Sequence, residues 1–192
     1  MFAKAYERAL IWSAHPRAVW YLGAVSFAES SFFPIPPPDV LLAPMVLARP
    51  QRAWKLAAWT TLTSVAGGVL GLTLGAVAID SLQPLLQDHG YWDSYLRARQ
   101  WFATWGFWAV IVAGFSPIPY KVFALAAGAA SMLLPLFVVA SIVGRGGRFF
   151  LVAALIALGG RRMEQTIRTH IDTIGWTAVG LAGGALLLTR VI

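Results

Sequence analysis

Apolar residues fill positions 18 to 33 with Glu29 as the one charge, and the run stops at Pro34-Ile35-Pro36-Pro37-Pro38-Asp39. Consecutive prolines cannot continue a helix, because each lacks an N–H and clashes with the turn before it. A second apolar run begins at Val40 and ends at Arg49-Pro50-Gln51-Arg52. These legs, about 16 and about nine residues long, fall short of the roughly 20 that cross a bilayer. The pattern predicts a re-entrant hairpin over residues 18–48 with the prolines at its tip. Broken backbone at that depth is tolerated only where protein buries it or a wet cavity receives it, so the tip is a site candidate.

Residues 56–79 read as one transmembrane helix, with Gly67, Gly68 and Gly71 available for close packing. A polar connection over 80–100 follows, with Trp92, Tyr95 and Trp101 as interfacial anchors. Residues 106–133 repeat the hairpin design around Ser116-Pro117-Ile118-Pro119-Tyr120-Lys121. Residues 136–160 form a span interrupted by Gly144-Arg145-Gly146-Gly147-Arg148, and 174–191 a last one. Residues 1–17 have the amphipathic spacing of an interfacial helix. The shared Pro-Ile-Pro core in matching surroundings predicts two repeats, 18–79 and 106–160, with a binding site between them and Pro34, Pro36, Pro117 and Pro119 lining its cavity. The expected fold is an all-α integral membrane bundle with two opposed re-entrant hairpins, one transmembrane domain over 1–192.

Composition agrees: of 192 residues 58% are hydrophobic and 12% charged, against roughly 25% charged in soluble domains. With both hairpins re-entrant, nine basic residues (Lys4, Arg8, Arg17, Arg49, Arg52, Lys55, Arg161, Arg162, Arg168) share one side and three (Arg97, Arg99, Arg190) the other. That asymmetry puts the first side, and the N-terminus, in the cytoplasm. The net charge of +7 therefore sets topology, and nucleic acid is not expected as a partner.

Five charges remain inside apolar segments: Glu29, Asp39, Lys121, Arg145 and Arg148. A central charge costs about 2.5–3.5 kcal/mol on insertion scales, so something must offset them. Glu29 lies roughly 17 Å along its leg, and Arg145 and Arg148 roughly 14–18 Å along theirs, so acid and base can meet at one depth. Arg145 and Arg148, three apart, share a helix face. Two readings stay open: paired charges that fasten the hairpins, or an anion site in which Lys121, Arg145 and Arg148 hold a phosphate and Glu29 and Asp39 carry a proton. His15, His89 and His170 have no partner at ligand spacing, cysteine is absent, and no Gly-x-Ser-x-Gly occurs. No metal, cofactor or enzymatic activity is expected.

The stretch Phe27-Ala28-Glu29-Ser30-Ser31-Phe32-Phe33-Pro34-Ile35-Pro36-Pro37-Pro38-Asp39 resembles the first signature of the DedA membrane family, also called the VTT or SNARE-associated domain family. Gly114-Phe115-Ser116-Pro117-Ile118-Pro119-Tyr120-Lys121 and Gly144-Arg145-Gly146-Gly147-Arg148 resemble its second half, in particular the YqaA-like branch. The resemblance implies opposed re-entrant hairpins and movement of lipid head groups, undecaprenyl phosphate or phospholipid, in support of envelope integrity and proton motive force. It maps the family's acidic pair onto Glu29 and Asp39. Where many members carry arginines around the second proline motif, this chain has Ser116 and Val122, which leaves Lys121, Arg145 and Arg148 to replace them. The expected partners are an anionic, phosphate-bearing membrane lipid and protons, with a homo-oligomer open. The alternatives are a proton- or cation-coupled small-solute antiporter and a non-transporting membrane scaffold.

Overall fold

The computed structural model describes residues 15, 17–31, 33, 37–88, 92–116 and 119–159. Most of the predicted interfacial helix over 1–17, the final span over 174–191, and Pro34, Pro36 and Pro117 lie outside the described residues.

Helix α1, Ala18–Ser31, comes before the prolines and α2, Asp39–Ala48, follows them. Pro38 enters α2 at φ −64°, already helical, and Asp39 sits in the first turn, where the helix dipole favours a carboxylate. A short 3₁₀ turn, Pro50–Arg52, leads into α3, Ala53–Asp88. Its 36 residues span about 54 Å, well beyond a hydrocarbon core of about 30 Å. Helix α4 is Trp92–Phe115, α5 is Tyr120–Ala129 and α6 is Leu134–Gly159.

The connection expected over 80–100 is thus helical over most of its length. Leu82, Leu85, Leu86 and Gln87 are good helix formers, and Pro84 alone does not end α3. The first leg of the second hairpin correspondingly starts at Trp92, not near 106, because Tyr95, Leu96, Ala98 and Phe102 extend the helical pattern upstream. Tyr95 belongs to the packing as well as to the helix end: its hydroxyl donates to the Ala129 carbonyl at 2.7 Å, tying the start of α4 to the end of α5. There the chain turns at Ser131, whose φ of 59° lies in the left-handed region, while the Met132 N–H reaches back to Ala127.

The α3 segment Pro50–Asp88, which includes the 3₁₀ turn, and α6 are long and apolar enough to cross a membrane; α2 and α5 are shorter apolar helices. Two apolar clusters show how the elements meet. One joins Leu22 of α1, Leu42 and Val46 of α2, and Leu56 of α3 to Phe149 and Ile156 late in α6. The other joins Leu72 of α3, Val110 of α4 and Tyr120 and Ala124 of α5 to Phe137 and Ala140 early in α6. Helices α3 and α6 therefore run antiparallel, with the α1–α2 pair against one end and the α4–α5 pair against the other.

Between the clusters the interior is polar: Ser26, Glu29, Ser30, Thr60, Ser64 and Arg145 are all buried. Outside, large apolar side chains are bare, Leu158 at 85%, Leu133 at 73% and Trp20 at 68% exposure. Charge inside and hydrocarbon outside is the distribution that a lipid solvent selects.

Close backbone approach holds the frame. A Cβ on Gly67 would overlap the Phe27 carbonyl of α1, and one on Gly128 of α5 would overlap the Leu72 carbonyl of α3. Trp59 adds to the α1–α3 contact: its indole N–H donates to the Val19 carbonyl at 3.0 Å. Gly67→Ala is expected to lower stability by about 1–3 kcal/mol through overpacking. Gly146→Ala, whose new Cβ would find its nearest neighbour at 3.4 Å, is expected to be neutral or better. Thermal melting of both variants in detergent checks this.

Candidate functional site

The site begins with small hydroxyl residues placed four apart on two apolar helices. Ser26 Oγ of α1 donates to the Thr60 carbonyl at 2.9 Å, and Ser30 Oγ lies 2.7 Å from Ser64 Oγ of α3. Ser and Thr at helix contacts allow close approach and give hydrogen bonds across it. Into this seam α6 sends Arg145. Its Nε donates to Ser64 Oγ at 2.6 Å, and its Nη2 donates to Glu29 Oε2 at 2.5 Å and Ser30 Oγ at 3.1 Å. The guanidinium carbon lies 4.8 Å from the Phe149 ring centroid and 5.1 Å from that of Tyr120, within cation–π range. Tyr120 is in turn held by Ser141, hydroxyl to hydroxyl at 2.5 Å. Arg145 is 3% exposed and Glu29 9%.

Arg148, one turn along α6, faces the hairpin tips. Its Nη2 donates to Asp39 Oδ2 at the start of α2, forming an ion pair, and its Nη1 donates to the Ser116 carbonyl at the end of α4, at 2.8 Å. One side chain thus bridges both broken segments. A second link runs the other way: Lys121 Nζ of α5 donates to the Phe33 carbonyl beyond α1 at 3.0 Å. Unlike Arg145, the Arg148 and Asp39 side chains keep 21% exposure. Two buried polar atoms here, Asp39 Oδ1 and Ser116 Oγ, have no hydrogen-bond partner among the described residues. Pro38 is buried beside Asp39, and Pro119, the one of the four expected cavity prolines that is described, immediately precedes α5.

The five intramembrane charges consequently divide into an inner group, Glu29 with Arg145, and a group at the tips, Asp39 with Arg148 and Lys121. Sequence reasoning had Arg145 and Arg148 on one face but did not assign their partners. It passed over Ser64, Tyr120 and Ser141; the signal available for Ser64 was the matching four-residue spacing of Ser26/Ser30 and Thr60/Ser64.

Removing one member of the inner pair leaves the other charge buried and unpaired, which costs about 3–5 kcal/mol. Glu29→Gln is expected to destabilise the protein by that order, and Glu29→Gln combined with Arg145→Met is expected to recover part of the loss. Melting temperatures of the two single variants and the double variant, read as a thermodynamic cycle, check the coupling.

The family model described as the VTT domain matches residues 35–158. An uncharacterized protein of Haemophilus influenzae is 45% identical over 182 residues, covering 95% of this chain and 94% of that protein. An uncharacterized homologue from Histophilus somni is 41% identical over 182 residues, covering 95% of both. No solved structure matches the chain. With its apolar exterior, its buried charges and a family match that takes in both proline-broken tips, the chain belongs to the VTT domain family, the DedA membrane proteins.

Proposed function

We propose that this protein is a transporter or scramblase, not an enzyme, and that it moves a phosphate-bearing lipid, undecaprenyl phosphate or a phospholipid, through a site between its two hairpin tips. The observation that carries the reading is the position of Arg148, which joins both tips, stays partly exposed, and leaves Asp39 Oδ1 and Ser116 Oγ unpartnered beside it. A phosphate supplies what the tips lack. Its oxygens accept from the Arg148 fork, from the Ser116 hydroxyl and from Lys121, and in its protonated form it donates to Asp39. Helices α2 and α5 both begin at the tips, so their N–H ends add positive potential there.

In this reading the legs α1–α2 and α4–α5 are re-entrant and opposed, in keeping with their packing against opposite ends of α3 and α6. The membrane is the bacterial inner membrane, crossed several times, with the N-terminus in the cytoplasm. Arg145 serves by holding α6 against α1 and α3, since its Nε donates to Ser64 and its Nη2 to Glu29 and Ser30. Head-group exchange requires Arg148 to let go of Asp39, and a proton on Asp39 weakens that ion pair. Proton coupling is therefore assigned to Asp39, with Glu29 maintaining the frame.

A second reading rests on the same orphaned oxygen. Asp39 Oδ1 is equally suited to receive a coupled cation, as a small-solute antiporter would need. Leaflet exchange of fluorescent phospholipid and of polyprenyl phosphate in proteoliposomes separates the two. Wild-type protein is expected to speed exchange, Arg148→Gln to slow it at least tenfold (about 1.4 kcal/mol or more) with the melting temperature little changed, and Asp39→Asn to remove its response to a pH gradient. Full exchange with Arg148→Gln, or solute transport without lipid movement, would sink the lipid reading.

A further inference from the structure

On α4, Arg97, Trp101, Trp105, Trp108 and Val112 follow one another at intervals of four, four, three and four residues, which confines them to less than a quarter of the helix circumference. The three tryptophans and Val112 are each more than half exposed. Together with Phe123 of α5 they line a groove of about 320 Å³ whose walls carry no charged side chain. An interfacial aromatic belt keeps to one depth. Here the indoles descend about 10 Å along the axis from Trp101 to Trp108, following the groove instead of the interface. Arg97 stands one turn beyond its upper end. It is exposed, Nη2 donates to Ser94 Oγ at 2.9 Å, and among the described residues no carboxylate pairs with it.

We propose that this groove seats one hydrocarbon chain of an anionic membrane phospholipid whose phosphate rests on Arg97. The charge at the mouth matches a phosphate, and the apolar walls match methylenes. The dimensions argue against a helix from a second copy, since a helix with its side chains is about 10–12 Å across and the volume is that of a narrow furrow. This site is separate from the tips bridged by Arg148 and does not rest on the transport reading.

The test is native mass spectrometry of the full-length protein in detergent with added phosphatidylglycerol or phosphatidylcholine. Wild type is expected to retain phosphatidylglycerol preferentially. Arg97→Gln is expected to lower phosphatidylglycerol occupancy about fivefold, the effect of one basic residue at a lipid surface, with phosphatidylcholine unchanged. Trp105→Ala, at an exposed position that leaves the core intact, should lower both lipids alike; Trp108→Ala serves if that variant melts early. The effect of Arg97→Gln should persist in an Arg148→Gln background, so failure at this groove and failure at the tips read out separately. Equal phosphatidylglycerol occupancy in wild type and Arg97→Gln would overturn the proposal, as would a dimer peak that displaces bound lipid or is lost with Trp105→Ala.

Discussion

A guanidinium group buried between two apolar clusters is the constraint around which this molecule is organised. Arg145 arrives from α6, and its demand for acceptors is met by Glu29 and Ser30 of α1 and Ser64 of α3. A charge at bilayer depth is tolerated when partners replace its water. Here those partners come from two helices that are distant in sequence from α6, so satisfying one side chain fixes the mutual placement of all three. The flanking rings of Phe149 and Tyr120 exclude water from the pair, and Tyr120 carries the constraint on to α5. The apolar clusters on either side then fill the remaining space without needing any polar instruction of their own.

From that fixed layer the second arginine is presented to the tips. The i, i+3 spacing sends Arg148 from the same face of α6 toward a less enclosed place, where Asp39 and the Ser116 carbonyl are within reach. The two arginines differ in consequence. Arg145 is enclosed and donates to three side chains, whereas Arg148 is partly exposed and lies beside Asp39 Oδ1 and Ser116 Oγ, which have no partner among the described residues. Proline is what makes such a place available: breaking both helices frees their ends to meet side chains from a third helix.

Much of the frame was legible in the sequence, because the strongest signals were physical exclusions. Prolines had to stop α1 and α4, glycines at 67 and 68 had to receive a neighbour closely, and lone charges in hydrocarbon had to find partners. The stretch from Asp80 to Gln100 was less legible, since polarity was weighed there over helix propensity, and its leucines and glutamines carry α3 to Asp88. Pairing was beyond the sequence altogether. Glu29 is a carboxylate near the end of one apolar leg and Asp39 one at the start of the next, and nothing in their local patterns tells which arginine each meets; the antiparallel register of α3 and α6 decides it. Ser64, Tyr120 and Ser141 went unremarked because a single hydroxyl in an apolar helix carries little signal until its neighbour across the contact is known.

The central claim of the proposed function is that the two proline-broken tips meet at one water-reachable place. The chain has no cysteine, so paired substitutions can be read without background. The most direct measurement is thiol cross-linking of Phe33→Cys with Lys121→Cys in intact membranes, using a short water-soluble bifunctional reagent and comparing with the buried pair Leu22→Cys and Ala124→Cys. The expected result is efficient linkage of the tip pair, none of the buried pair, and protection of the tip pair by added polyprenyl phosphate. Tip thiols that the reagent cannot reach, or that react without linking to each other, would contradict a shared site.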